Sequence, residues 1–298
     1  MQMNRRQFLR GIVGTAAAGF WVAGASCSQR PRKGSKMRFG LVTYQWGRDL
    51  DLPTLLRVCE QAGYGGVELR VDHKHGVSPR LNAAQRAEVR KRFADSPVVC
   101  VGLGTNERFD SPDPAELQAN IERTKAWLQL SHDIGASGVK VKPNDLHPNV
   151  PKEKTIEQIG KALRELAQFG ANLGQQLRLE VHGSCKPLPI IRKIMEVADH
   201  PNVRVCWNCN REDLSGEGLE YNFWLVKSYL GDTLHVHELD RGEYPYDRLL
   251  ELLVNMDYEG WVLLEAGSMP PPKDRVAALK KQRRLFEQLR RRAQAVLG

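Results

Sequence analysis

The chain has 298 residues, 41% hydrophobic and 27% charged, a length that suits one large domain with a sizeable core. Its formal charge of +9 is carried by the ends: residues 1–36 hold seven basic and no acidic residues, residues 273–298 nine and two, and residues 37–272 28 and 33. An acidic body with basic ends excludes a phosphate-tracking groove, so no nucleic-acid partner is expected.

In chain order, the first segment is for targeting. NRRQFLR (Asn4–Arg10) sets paired arginines ahead of Phe-Leu, and an uncharged stretch from Gly11 to Ala25 follows. This order is that of a twin-arginine export signal. Its roughly 15 apolar residues, many of them Gly and Ala, fall short of the ~20 that a membrane span needs. GASC ends in Cys27 and resembles a lipoprotein cleavage box, although Gly24 stands where such boxes prefer Leu. The expected organisation is a signal peptide over 1–27, a short basic tether over 28–36 and one domain over 37–298. The protein is then periplasmic, or membrane-anchored by lipid on Cys27.

From Met37 short apolar runs alternate with longer amphipathic ones. Strands are expected at 37–44, 66–71, 98–104, 138–143, 176–183, 202–208, 233–239 and 260–267, and helices at 51–62, 81–94, 113–134, 153–173, 188–199, 217–230, 245–256 and 273–297. Gly63, Gly135, Gly174 and Gly231 stand where helix C-caps belong. In the last helix Val276, Leu279, Phe286, Leu289, Ala293 and Val296 recur at helical spacing, so its basic residues read as a solvated face. Eight βα units without a linker after residue 36 predict a single (β/α)8 TIM barrel. The alternative, a doubly wound sheet, lacks its glycine-rich loop, because YQWGRD follows the first strand.

VRVCWNCN (Val203–Asn210) raises a separate question, because Cys206 and Cys209 sit at CxxC spacing. Cys27, Cys59, Cys100 and Cys185 are scattered singly and offer no second ligand pair for zinc. The motif closes a strand, whereas a redox CxxC opens a helix. Side chains i and i+3 on a strand face opposite sides, so a buried Cys206 and a loop Cys209 are expected. Loss of 1–27 leaves five cysteines, an odd number that excludes a fully paired disulfide framework.

In a barrel, functional side chains collect where strands end. Strands five to eight end in LEVHG, CWN, HVHELD and LLEAG, so Glu180, Asn208, His237 and Glu265 are expected at one mouth. A charged Glu among Leu and Val is costly unless it is paired, protonated or metal-bound. Lys140 and Lys142 are candidates to neutralise the glutamates, and His235 or His237 alone reads as a hydrogen-bonded core histidine.

The segments GVELR, HKHGV, GVKVKPN, RLEVHG, VCWN, HVHELD and DYEGWVLLE, as an ordered set from about Met37 to Gly298, resemble the sugar phosphate isomerase/epimerase family, the xylose-isomerase-like barrels. Members of the ketose 3-epimerase kind hold one divalent metal with Glu, Asp, His and Glu from strands five to eight. The resemblance carries these ligands onto Glu180, Asn208, His237 and Glu265, with Mn, Mg, Co or Zn as the ion. Asn208 departs from the Asp of the pattern and removes one negative charge. It also carries proton transfer onto Glu180 and Glu265, and the orienting of sugar hydroxyls onto His75, Lys142, His182 and Asp240. Lys142 is alternatively an oxyanion stabiliser, and His73 beside His75 a further ligand for substrate or metal. The implied activity is a metal-dependent isomerase or epimerase of a non-phosphorylated sugar or keto-sugar, acting by α-proton abstraction through an enediolate. The alternatives are a lyase or hydratase on keto-sugars or glycosides, and a non-catalytic carbohydrate-binding barrel, which Asn208 suggests. One consequence is independent of the fold. Replacing Arg5→Lys together with Arg6→Lys is expected to trap the precursor inside the cell, and unchanged periplasmic yield on fractionation contradicts twin-arginine targeting.

Overall fold

The computed structural model describes residues 33–270 and 272–297. The export signal, Cys27 and the tether up to residue 32 lie outside the described residues. Eight strand–helix units follow one another: β1 (Arg38–Val42), α1 (Leu52–Ala62), β2 (Gly66–Arg70), α2 (Ala83–Ala94), β3 (Val99–Arg108), α3 (Pro114–Asp133), β4 (Gly138–Lys142), α4 (Lys152–Ala171), β5 (Gln176–Glu180), α5 (Leu188–Ala198), β6 (Val203–Cys206), α6 (Gly218–Val226), β7 (Thr233–Val236), α7 (Tyr246–Asn255), β8 (Trp261–Leu264) and α8 (Arg275–Leu297). All seven laddered pairs are parallel, in the order β6-β5-β4-β3-β2-β1-β8-β7. Between β6 and β7 the regular ladder gives way to main-chain bonds from Gly231 N to Val205 O (2.9 Å) and from His235 N to Trp207 O (2.7 Å). The result is a nearly closed (β/α)8 barrel, as the alternation of runs predicts.

Local chemistry sets the element ends. Asp51 caps α1 through Thr54 N, and Gly63 ends it in the left-handed region at φ 74°. Asn82 and Gln85 form a reciprocal capping box on α2. The outer faces of the strands pack Val, Leu and Ile against the helices in one continuous core.

The barrel interior has a different character. Bulky branched side chains usually fill it, and here Val42, Val101, Trp261 and Leu263 form only a small apolar cluster. Much of the rest is polar or charged. Arg178, fully buried, donates to Val101 O (3.1 Å), Ser137 Oγ (2.8 Å) and Gln176 Oε1 (3.0 Å). Glycines on neighbouring strands make room for it. A methyl at Gly102 stands 2.7 Å from Arg178 Nη1, and one at Gly104 stands 2.7 Å from Glu68 Oε1. Small residues on β3 and β4 thus admit long ionic side chains from β2 and β5, which a packed interior otherwise excludes.

The five described cysteines, Cys59, Cys100, Cys185, Cys206 and Cys209, are buried and free. At Cys209 the backbone turns into the left-handed region (φ 49°), which takes it out of line with Cys206. The interior arrangement is testable at Gly138, where a methyl falls 2.5 Å from the main-chain oxygen of Gln176 and 3.0 Å from the Arg178 guanidinium. Gly138→Ala is expected to cost about 1–3 kcal/mol and to lower the calorimetric unfolding midpoint by several degrees. An unchanged midpoint contradicts the tight fit around Arg178.

Candidate functional site

The ends of β4 to β8 point ionisable side chains into the mouth. Glu180, buried at the end of β5, accepts from Lys140 Nζ at Oε2 (2.6 Å) and from Asn208 Nδ2 at Oε1 (3.1 Å). Lys140 also donates to Thr105 O at 3.2 Å. His235, fully buried on β7, sets Nδ1 3.7 Å from Glu180 Oε1 and 3.4 Å from Glu265 Oε2, while Nε2 lies 3.3 Å from Glu68 Oε1. Lys140 and His235 thus lie against the three carboxylates, and Arg178 adds positive charge at longer range to Glu68.

Burial works against each charge, so the partners decide. For Glu180 the ammonium of Lys140 and the ring of His235 outweigh burial and hold the carboxyl well below the usual carboxylate range. Glu68 is lowered in the same way, chiefly by His235. The His235 ring, beside the Cys206 sulfur and the Glu68 and Glu265 carboxylates, is raised well above the usual imidazole value despite burial. Neither ring nitrogen has a hydrogen-bond partner, so the carboxylates act on it through charge alone.

Among the described residues, Glu180, His235 and Glu265 bring three ligand atoms within 4.8 Å of one another. Asn208 is buried beside them, and its Oδ1 has no hydrogen-bond partner. His237 stands outside that group. Its Nδ1 lies 3.2 Å from the main-chain oxygen of Glu265, an acceptor only, so Nδ1 carries a proton, and in the neutral tautomer Nε2 offers the lone pair. An orphaned amide oxygen, two carboxylates and an imidazole lone pair suit a divalent cation. A cavity of about 830 Å³ opens beside His237, lined also by Arg211, Arg241, Tyr244 and Tyr246.

The other expected site residues divide. Lys142 is half-buried at the end of β4, and burial and the neighbouring Lys140 lower its pKa to about 8. His182 bonds Asn144 Oδ1 through Nδ1 (3.1 Å), with its pKa lowered by burial. His75 is not available to a substrate: Val77 N donates to Nδ1 (3.1 Å) and Nε2 meets Arg70 O (2.8 Å), so both ring nitrogens hold the loop after β2. Asp240 is also committed. Its oxygens take Gln282 Nε2 (2.7 Å) and Lys281 Nζ (2.5 Å), fastening the loop after β7 to α8. His73, with Nδ1 3.2 Å from Thr43 Oγ1, is held neutral by burial and by His75, with its pKa lowered to about 4. Glu68 went unassigned in the sequence, although alternation in GVELR places it in phase with Gly66 and Arg70.

The Lys140–Glu180 pair carries a stability prediction. Lys140→Met leaves a buried carboxylate without its ammonium and is expected to cost about 3–5 kcal/mol. Adding Glu180→Gln is expected to recover much of the loss. Additive losses in the double-mutant cycle, read by thermal unfolding, contradict a direct pair.

An L-ribulose 3-epimerase superposes with a TM-score of 0.71 at 15% identity, covering 88% of this chain and 97% of its own. The 3-keto-D-glucoside 4-epimerase of E. coli gives 0.67 at 15% identity, covering 83% and 99%. The IolI protein, solved with a bound zinc atom, gives 0.68 at 16% identity, covering 85% and 98%. At these identities the likeness establishes the fold. No curated protein matches the sequence significantly. Residues 56–289 match the family described as xylose isomerase-like TIM barrel, and the chain belongs to that family.

Proposed function

We propose that this chain is a sugar isomerase or epimerase that moves a proton at the carbon beside a carbonyl. The observation that carries the reading is the convergence of two buried carboxylates, Glu180 and Glu265, within 3.7 and 3.4 Å of His235 Nδ1. Two carboxylates from non-adjacent strands can serve opposite faces of one carbon, so one removes the proton and the other returns it. Glu180 is held ionised by Lys140 and suits the accepting role. Glu265, the second carboxylate of the mouth, takes the returning role.

Glu180, Asn208, Glu265 and a histidine would hold one divalent ion. Protonation of His235 removes its lone pair, which favours His237 Nε2. Such an ion, when bound, supplies electrophilic stabilisation of negative charge developing on the substrate oxygens. Lys142 and His182, half-buried at the same mouth, orient hydroxyls, and the aromatic and arginine walls of the neighbouring cavity accept the rest of the sugar. The substrate class is a non-phosphorylated ketose or keto-glycoside, in keeping with the epimerases that share the fold. The proposal includes export by the twin-arginine route to the periplasm, with lipid on Cys27 as the anchored form.

The test is hydrogen exchange in D2O, followed by NMR on a panel of ketoses and 3-keto-glucosides with added Mn2+. The wild type is expected to place deuterium at the carbon beside the carbonyl. Glu180→Gln and Glu265→Gln are each expected to slow this by about 100-fold or more. Absence of exchange over the whole panel, or full exchange by both variants, contradicts the assignment, whereas a new C=C absorbance assigns the site to β-elimination instead.

A further inference from the structure

On one side of the barrel mouth the cations outnumber their partners. Arg70, at the end of β2, is 8% exposed, and its Nη1 and Nη2 donate to Thr105 O (3.3 Å) and Asn106 Oδ1 (3.1 Å). Among the described residues no carboxylate pairs with it. The other buried lysine and arginines each meet one: Lys140 meets Glu180 at 2.6 Å, Arg178 meets Asp232 at 3.8 Å and Arg275 meets Asp49 at 2.9 Å. Lys142, half-buried at the end of β4, has neither an ion pair nor a hydrogen bond among the described residues. Arg204 and Lys227 are half-buried and also lack an acid, but Arg204 donates to Ser228 O (3.2 Å) and Lys227 lies over the Trp224 ring (4.0 Å). The acids nearest to Arg70 and Lys142 along the chain are committed elsewhere. Glu68 faces His235 (3.3 Å), Glu107 pairs with Arg123 (3.0 Å), and Asp145 takes Asn144 Nδ2 (2.7 Å) and Ser184 N (3.2 Å), while Asp72 is exposed.

The two cations belong to one cluster. Arg70 Nη1 and Lys140 Nζ meet at a single oxygen, Thr105 O (3.3 and 3.2 Å), and Lys140 reaches Glu180 from there. Gly104 leaves the space for Arg70, since a methyl there stands 2.9 Å from Arg70 Cδ. Burial first, and then the repulsion of Lys140 and Arg70, lower the Lys142 pKa to about 8, so the three cations face one another. Like charges held together at low exposure cost free energy unless an anion offsets them. A divalent ion among the glutamates only adds positive charge. The unmet demand at β2 and β4 is for an anion that arrives with the substrate.

We propose that Arg70 and Lys142 form a carboxylate subsite, so that the substrate is an acidic keto-sugar of the uronic type, with its carboxylate at the end of the chain remote from the reacting carbon. This rests on the reading of Glu180 and Glu265 as the proton-transfer pair. Strands β5 to β8 then hold the reacting end of the sugar, and β2 to β4 hold the charged end. Between the Arg70 guanidinium and the Glu180 carboxylate stand only Thr105 O and Lys140 Nζ, a span that a six-carbon sugar bridges. Lys142 meets the carboxylate directly, in place of a hydroxyl. Arg70 offers it an edge from beneath Tyr44, whose ring centre lies 5.7 Å from the guanidinium carbon. Phosphate is the other anion that such cations attract. Barrels of this kind commonly hold phosphate on the loops after strands seven and eight, but here the main-chain donors Gly267 N (3.2 Å) and Ser268 N (3.0 Å) are taken by the Glu238 carboxylate. A planar carboxylate needs fewer donors, and the two cations supply them.

The experiment is calorimetric titration of the full chain, in the presence of Mn2+, with D-fructuronate, D-fructose and D-fructose 6-phosphate, three ketoses that differ only at the sixth carbon. The wild type is expected to bind fructuronate at least about tenfold more tightly than fructose. Lys142→Met and Arg70→Gln are each expected to abolish most of that preference, and Lys142→Arg to keep part of it. Circular dichroism checks folding. Lys142 has no partner to lose, so Lys142→Met carries the test if Arg70→Gln unfolds. Deuterium exchange in D2O on the same three sugars separates this proposal from the reading beneath it. Preference for the acid without exchange faults the role of the glutamates and leaves the subsite standing, whereas exchange of fructose with no preference for the acid faults the subsite alone. No binding of fructuronate, equal affinity for fructuronate and fructose, a preference that survives in both folded variants, or tighter binding of the phosphate ester overturns the proposal.

Discussion

The structure depends on keeping ionised side chains inside a barrel. A buried carboxylate is tolerated only when it is paired and hydrogen-bonded, and Glu180 has both an ammonium at 2.6 Å and an amide donor at 3.1 Å. The network continues outward through His235 and Glu68, while Arg178 below it is held by Val101 O, Ser137 and Gln176. Glycines at 102, 104 and 138 are the steric counterpart of this network, because any side chain there occupies the space of a guanidinium or a carboxylate. Charge, not apolar bulk, therefore fills the upper half of the interior.

This arrangement makes the two site glutamates unequal. Both oxygens of Glu180 are engaged by Lys140 and Asn208, which fixes its position and its ionised form. Glu265 is held by its main chain, where Val236 O receives its N–H at 2.8 Å and its own carbonyl meets His237, so its carboxylate is the freer of the two. In the proposed reaction that inequality separates the base from the acid. Asn208 adds to it. An Asp in its place puts two carboxylates about 3 Å apart, a spacing that raises the pKa of one of them, whereas the amide donates to Glu180 and leaves Oδ1 directed elsewhere.

Much of the fold was legible in the sequence because period-2 apolar runs and capping residues are local signals. Seven of the eight strands fall inside the expected spans; β3 runs past its span and β5 fills only part of its own. The run 176–183 leaves the sheet at Glu180, because Gly183 turns the chain at φ 67°. β3 runs on to Arg108, since Arg108 pairs with Lys142 across the mouth. The residue types of the site were legible, but side-chain commitments were not. His235 and His237 are two apart and share a face, so only strand register decides which ring meets the glutamates. His75 and Asp240 have the right chemistry, yet main-chain donors and α8 claim them, and those partners are remote in sequence. Glu68 needed the same non-local knowledge, since its role exists only through His235.

The central claim is that the mouth gathers Glu180, Asn208, Glu265 and one histidine around a single divalent ion while His235 stays an internal cation. Anomalous diffraction from crystals soaked in Mn2+ or Zn2+ tests it most directly. The expected result is one peak at about 2.0–2.6 Å from oxygens of Glu180, Asn208 and Glu265 and from His237 Nε2. No peak at the mouth, a peak between Cys206 and Cys209, or ligation through His235 would contradict it.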